Sequence, residues 1–427
     1  MSSVFAITPA IQRVRSHPTK GVHVSQVLAK PILSDALSGL GTGAVMPGMS
    51  RAPTEQPGAA WGGFTGESRS NATGAELSLN GTLVFGKQQL DAAALRRRVN
   101  DRKVHLSLLP RGALVHFPEH PSAGFVADLL ACHETQRCYQ PHGVILRARN
   151  APLPGYLVPT VDEASGQRRL ILGSWQSVED DTAAYARLFA GESGLRFALL
   201  KPTHVDLFLR DIYTPLVAGH ELHVPEDHAT PTDPALMRQW IHSHGIHVLH
   251  LSVSMARQLF DAETRLPSVR FVMLPRERLF WRDVQRIQAA IASDGQVYHL
   301  YGPPETTLTQ LHFLARPEPG AMPDAPVPVG RPTGQSRAVV VKEGRPCDAM
   351  ESGEILIRHA YPAHGYLRGV GDGSTLELQS PFIANPFRVD DPEPVYRTGD
   401  MGFIDADGAL VCLGSASSLR RERSSPS

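Results

Sequence analysis

An α/β fold is expected for most of this chain, and two patterns carry the expectation. From Leu83 onward, short apolar runs alternate with helix-length amphipathic segments, as in a mostly parallel sheet covered by helices. After about residue 307 the helical periodicity stops, and strands follow one another with turn residues between them. At 427 residues the chain is long enough for two or three domains around a large core.

Residues 1–80 differ from this pattern. They are crowded with Gly, Ser, Pro and Ala (GLGTGAVMPGMS, RAPTEQPGAAWGGFTGESRSNATG), lack sustained periodicity, and are expected to form a flexible leader. Residues 1–34 hold basic but no acidic side chains, which suits a disordered tail and a transit peptide alike. Gly39, Gly41 and Ala44 match a dinucleotide fingerprint formally, but no apolar strand precedes them, so the match is set aside.

The α/β part, 81–306, begins with LVFG. Gln88–Val99 reads as a helix, VHLSLL as a strand, FVADLLACHE as a helix and VILRA as a strand. RFALLKP, HELHVP, HVLHLS, VRFVMLP and QVYHLYG read as buried strands. Between them LFLRDIYTPLVAG, PALMRQWIHSHG, VSMARQLFDAE and FWRDVQRIQAAIA read as helices. The β-rich part, 307–415, contains LTQLHFL, RAVVVK, GEILIRH and two strands flanking a hairpin turn at Asp407 and Gly408. Residues 416–427 are expected to be a frayed tail.

Composition narrows the function classes. Lys plus Arg (42) balances Asp plus Glu (42), so no basic field concentrates nucleic acid. No apolar stretch approaches the ~18 residues that cross a bilayer, and no membrane association is expected. Cys132, Cys138, Cys347 and Cys412 are too few and too scattered for a disulfide framework, which fits a cytoplasmic protein.

Five segments in order carry a resemblance: THVDLFLRDIYTPLVAGHELHVP, HLYGPPETT, VPVGRPTG, SGEILIRHAYPAHGYL and NPFRVDDPEPVYRTGDMGFIDADG. Together they resemble the core motifs of adenylate-forming enzymes, especially the adenylation domains of nonribosomal peptide synthetases, over roughly residues 83–415. The resemblance implies two layered α/β subdomains and a distorted β-barrel. It also implies a chemistry in which a carboxylate attacks the α-phosphorus of ATP, assisted by Mg²⁺, before the acyl group passes to a carrier protein's thiol. Catalysis of this kind needs in-line positioning and neutralised oxygen charge rather than a protein nucleophile.

By the same resemblance Tyr301, beside Gly302, would stack on adenine, Asp400 would accept from the ribose hydroxyls, and Glu305 would hold Mg²⁺. Asp206 would pair with the α-amino group of an amino-acid substrate, although an aspartate before LFLRDIYTPL is equally an ordinary helix N-cap. Leu207, Arg210, Leu274, Leu300 and Leu308 would line the pocket for the rest of a small carboxylic or amino acid. Partners implied are a carrier protein or a peptide synthetase chain.

Departures from the family pattern cluster at the phosphates. The loop between YLVPT and GSWQSV should be rich in glycines and hydroxyls but reads TVDEASGQRRL, with Thr160 and Gly166 at recognisable ends and Arg169 at the lysine position. Val161 is poorly suited to positive φ, and Asp162 and Glu163 would repel a polyphosphate unless metal or arginine intervenes. Pro304 stands where a threonine would reach the α-phosphate. After LVCLG, Ser415 and Ser417 replace the expected Arg and hinge Asp, and the C-terminal lid domain is expected to be absent. The expected function is thus a degenerate adenylation-domain homologue, noncatalytic on its own, with a ligase whose lid comes from another chain as the alternative.

Two clusters suggest metal. His242, His244, His247 and His250 fall on different sides of a helix end and of a strand, and CHETQRC lacks a second ligand pair. The histidines are expected to be ordinary core and surface residues, and the two thiols packing residues.

Overall fold

In the computed structural model the described residues are 76–162, 165–227, 229–317, 320–387 and 394–424, with side chains described to residue 420. The expected leader therefore lies outside the description except for its last residues. Of these, Leu77 and Leu79 already pack against the core, ahead of the expected 80/81 boundary.

Three sheets organise the chain. The nine-stranded sheet runs, edge to edge, through 331–332, 311–315, 296–301, 271–275, 248–250, 196–198, 221–224, 82–85 and 88–90. Its central pairs, from 271–275 with 296–301 to 82–85 with 221–224, are parallel, as the near-continuous apolar runs predict. The six-stranded sheet runs 375–379, 365–370, 168–173, 155–161, 138–140, 114–116. The five-stranded sheet, 345–346, 336–342, 353–359, 395–404, 410–415, is antiparallel throughout and curls into a half-barrel.

The Ala123–Glu134 and Leu207–Ala218 helices are buried along nearly their whole lengths. One core cluster joins their apolar side chains to Leu83 and Val224 of the nine-stranded sheet and to Tyr139, Tyr156 and Ile171 of the six-stranded sheet. Both helices are thus held between sheets, which is why apolar residues fall on most of their faces and their polar residues, such as Arg210 and Asp211, are paired. Local signals set several ends: Ser122 accepts from Phe125 N–H, Asp233 caps a helix with Pro234 in its first turn, and Gly219 and Gly245 end helices at φ +83° and +57°.

Four local expectations are corrected. Gln88–Leu90 is a strand paired with Thr82–Phe85, and the helix begins only at Ala92, capped by Asp91. VHLSLL is no strand: the helix continues to Leu106 and Val104 and Leu108 face solvent. VILRA is a loop with Ile145 exposed. The Ala416–Ser424 tail forms a helix rather than a frayed end. The sheets also cut across the 306/307 boundary, since 311–315 completes the nine-stranded sheet and 365–379 the six-stranded one. Among the described residues no helix is long and apolar enough to cross a membrane.

Candidate functional site

The residues expected to hold a nucleotide converge where the three sheets meet. Tyr301 ends the 296–301 strand, its ring packed in an apolar cluster with Leu311, Val329 and Ile355. Its hydroxyl donates to Asp400 Oδ2 at 2.6 Å. Burial, with the Asp400 charge beside it, pushes the Tyr301 phenol well up, so it remains a donor. Gly302 has a steric reason: a Cβ there would stand 2.2 Å from Gln310 Oε1 and 2.6 Å from Thr309 Cα, so the returning chain requires glycine.

Glu305 lies in a short turn after that strand and is nearly buried. Its Oε1 accepts from the Tyr366 hydroxyl at 2.6 Å, and Tyr396 hydrogen-bonds to both Tyr366 and Glu305. Burial, then the Glu305 carboxylate, push the Tyr366 phenol up to about 12, which keeps it protonated and donating. The Arg169 guanidinium lies 4.8 Å from the centre of the Tyr366 ring and reaches Asp162 Oδ2 at 2.7 Å. Asp162, Arg169, Tyr366, Glu305 and Tyr396 therefore form one connected network.

The loop after YLVPT is the turn of a β-hairpin, with Thr160 opposite Arg169 in register. Its described amides are used internally. Ser165 N–H donates to Asp162 Oδ1 at 2.8 Å, Gly166 N–H to Asp162 O at 2.7 Å, Gln167 N–H to Ser165 Oγ at 3.3 Å, and Asp162 N–H to Gln167 O at 2.9 Å. Gly166 adopts φ +68°, the left-handed conformation that closes the turn. A carboxylate of the loop thus sits where the loop's amides could otherwise meet an anion.

For ATP and Mg²⁺ the residues divide. Tyr301, Gly302 and Asp400 are clustered, and the Asp400 carboxylate can accept from hydroxyl groups. In the loop, the Ser165 and Gly166 amides and Arg169 are engaged by Asp162. Glu305 supplies one carboxylate to a hard cation that favours several, and no group of three acidic, His or Cys side chains assembles among the described residues.

Asp206 is fully buried and stands at the N-cap position of the Leu207–Ala218 helix, but its side chain accepts from no backbone N–H of that helix. Both its oxygens are taken by Arg276, Nη1 to Oδ1 at 2.6 Å and Nη2 to Oδ2 at 2.7 Å, and Leu308 N–H adds a bond at 3.2 Å. Leu300 and Leu308 lie beside this pair, the Leu300 carbonyl accepting from Arg276 N–H. Leu207, Leu274, Leu300 and Leu308 are all buried, but they fall in three different core clusters. Arg210 turns to the preceding helix, forks onto Asp181 and stacks over Tyr185 at 4.3 Å. Lys201 sits among Asp206, Asp211, Arg210 and Arg276, and burial pushes its amine down to about 8.

Arg276 and Tyr366 escaped the sequence reading. Tyr366 was visible within HAYPAHGYL but carried no role, whereas nothing in LPRER announces that Arg276 would fold back onto a carboxylate 70 residues away. The histidine cluster is dispersed as expected: His242 is exposed, while His250 is buried between Tyr185 (2.6 Å) and Asp211 (2.6 Å). Cys132 and Cys138 are buried free thiols, each pushed up by burial.

Residues 173–367 match the family model described as AMP-binding enzyme. The chain is 29% identical over 247 residues to L-2-aminoadipate reductase of Schizosaccharomyces pombe (52% of this chain, 17% of that protein). It is 27% identical over 295 residues to malpinin synthetase of Mortierella alpina (69% of this chain, 4% of that protein). The chain thus spans only a small part of these relatives. Its fold matches the nonribosomal peptide synthetase FmoA3 in an AMPPNP-bound form, with TM-score 0.67 at 18% identity, over 78% of this chain and 41% of that one. It also matches the N-terminal subdomain of Klebsiella oxytoca NpsA, with TM-score 0.64 at 17% identity, over 79% of this chain and 96% of that one. At these identities the structural matches speak for the fold.

Proposed function

We propose that this chain, a homologue of the adenylation domains of peptide synthetases and aminoadipate reductases, engages the nucleoside part of an adenine nucleotide without cradling a triphosphate. It acts in that reading as a noncatalytic scaffold or partner in a peptide-synthetase-type system, beside a carrier protein or synthetase chain. The observation that carries the reading is the self-satisfied loop: Asp162 takes the Ser165 and Gly166 amides and the Arg169 guanidinium. Pro304 adds to it, since it offers neither a hydroxyl nor an N–H at the turn before Glu305.

A calorimetric titration of adenosine, AMP and ATP, the last with and without Mg²⁺, tests this. Affinity is expected to vary little with phosphate number, and amino-acid-dependent exchange of pyrophosphate into ATP is expected to stay at background. A second reading, an active adenylate-forming ligase in which Arg169 replaces the lysine, draws on the partial exposure of Arg169 next to the Tyr366–Glu305 pair. Binding of Mg·ATP about tenfold tighter than AMP, abolished by Arg169→Ala, would establish that second reading instead.

A further inference from the structure

The chemistry in front of Asp206 points to a substrate class. Arg276 is held there at three nitrogens: Nε donates to Gly302 O at 2.9 Å, Nη1 and Nη2 fork onto Asp206, and Nη2 also reaches Leu308 O at 3.0 Å. A planar guanidinium matched to both oxygens of a buried carboxylate is the strongest cation that site can hold. The arrangement also carries backbone strain. Arg276 lies at φ +63°, Thr307 at +73° and Leu308 at +53°, three non-glycine residues in the left-handed region within one contact set. Such strain persists only where its surroundings over-determine it, and it concentrates at ligand sites.

We propose that Arg276 is a built-in cation that fills the ammonium subsite at Asp206, so that this pocket excludes amino acids and is left to carboxylic acids without an α-ammonium group. The proposal rests on the reading of Asp206 as the ammonium-binding carboxylate of an adenylation-type pocket. An incoming ammonium would have to displace the guanidinium, which would then remain largely buried without its anion, and one point charge would replace a two-bond fork. A substituent without charge has no reason to compete. Arg276 is in this sense a specificity-determining residue, acting on what enters rather than on the reacting atoms.

The test uses the full chain and Arg276→Gly, the replacement best suited to φ +63°. Methylguanidinium and the proteinogenic amino acids, each at millimolar concentration, are titrated by calorimetry and thermal shift, with AMP as a separate ligand. The expected result is that no amino acid binds the wild type, that R276G binds methylguanidinium, and that at least one amino acid gains about tenfold or more in affinity on R276G. Both gains should vanish on adding Asp206→Asn. An amino acid that binds the wild type overturns the proposal, whatever the variant does, and so does an R276G protein that ignores methylguanidinium. If R276G takes methylguanidinium but no amino acid, the claim of amino-acid exclusion falls. If R276G does not fold, Arg276→Lys replaces it: its single ammonium frees one Asp206 oxygen, and failure to take up either probe then counts against the proposal. AMP binding is read in parallel on the wild type. A wild type that binds no AMP refutes the nucleoside reading instead, so the two failures are distinguishable.

Discussion

Asp162 decides the character of the hairpin turn. Its carboxylate accepts from Ser165 N–H and Ser165 Oγ and pairs with Arg169, so one side chain withholds both an amide and a cation from any outside anion. Asp162→Ala removes a negative charge and frees Arg169, still poised over Tyr366. We expect the ratio of ATP to AMP affinity to rise by about tenfold, or ~1.4 kcal/mol, in calorimetric titrations with Mg²⁺. An unchanged ratio would mean that the loop's charge does not set its affinity for phosphates. Gly302 makes a second prediction at this scale. A Cβ there meets Thr309 Cα and Gln310, which are backbone and a buried amide rather than flexible tips. Gly302→Ala is therefore expected to cost about 1–3 kcal/mol in denaturant unfolding through overpacking.

At the level of elements, the buried strands and helices between Arg196 and Tyr301 were legible because burial writes itself as uninterrupted apolar runs and good caps. VHLSLL and VILRA misled for the opposite reason: an apolar run predicts a strand only if a neighbour pairs with it, and Val104, Leu108 and Ile145 find none. The curled antiparallel sheet was readable from turn residues, whereas the return of 365–379 to a sheet begun at 114–116 was not, because such pairing is non-local. Within the candidate site, Tyr301, Asp400 and Glu305 were singled out by motif, but Tyr366, which bonds Glu305, and Arg276, which bonds Asp206, come from other elements and left no local trace. The two helices at 92–106 and 123–134 give a test of element docking. Glu134, buried at the end of the second, accepts from Arg96 Nη1 and Lys103 Nζ of the first, each at 2.7 Å, and from Leu77 N–H at 3.0 Å. Burial pushes this carboxyl up, but the bonds from Arg96, Lys103 and Leu77 outweigh it and hold the carboxyl below its ordinary value. A depressed carboxyl contributes stability above its unfolded pKa of about 4.3 and loses it as pH falls through the folded value. Glu134→Gln should therefore cost about 1.5–3 kcal/mol near neutral pH, and the difference from wild type should shrink in melts below about pH 4.

Over the whole molecule, histidine burial sets the acid limit of stability. His220, His223, His250 and His299 are buried, on strands or strand ends of the nine-stranded sheet, and burial lowers each of their pKa values. At His223 the Glu221 carboxylate and at His250 the Asp211 carboxylate oppose that shift without reversing it. The sign follows from linkage. Folded values lie below the unfolded value of about 6.5, so the unfolded chain binds more protons once pH drops under that value, and unfolding is favoured as pH falls from there toward the folded values. The His220–His223 stretch, His250 and His299 lie on three different strands and share no hydrogen-bond partner, so these three contributions are expected to add. If together they amount to about 2 kcal/mol, a melting temperature measured at pH 5.5 should lie on the order of 5 °C below that at pH 7.5. His250→Gln should remove part of that pH dependence, because a neutral amide cannot take up the proton. A melting temperature that is flat between the two pH values would show that these imidazoles protonate as readily in the folded sheet as in the open chain.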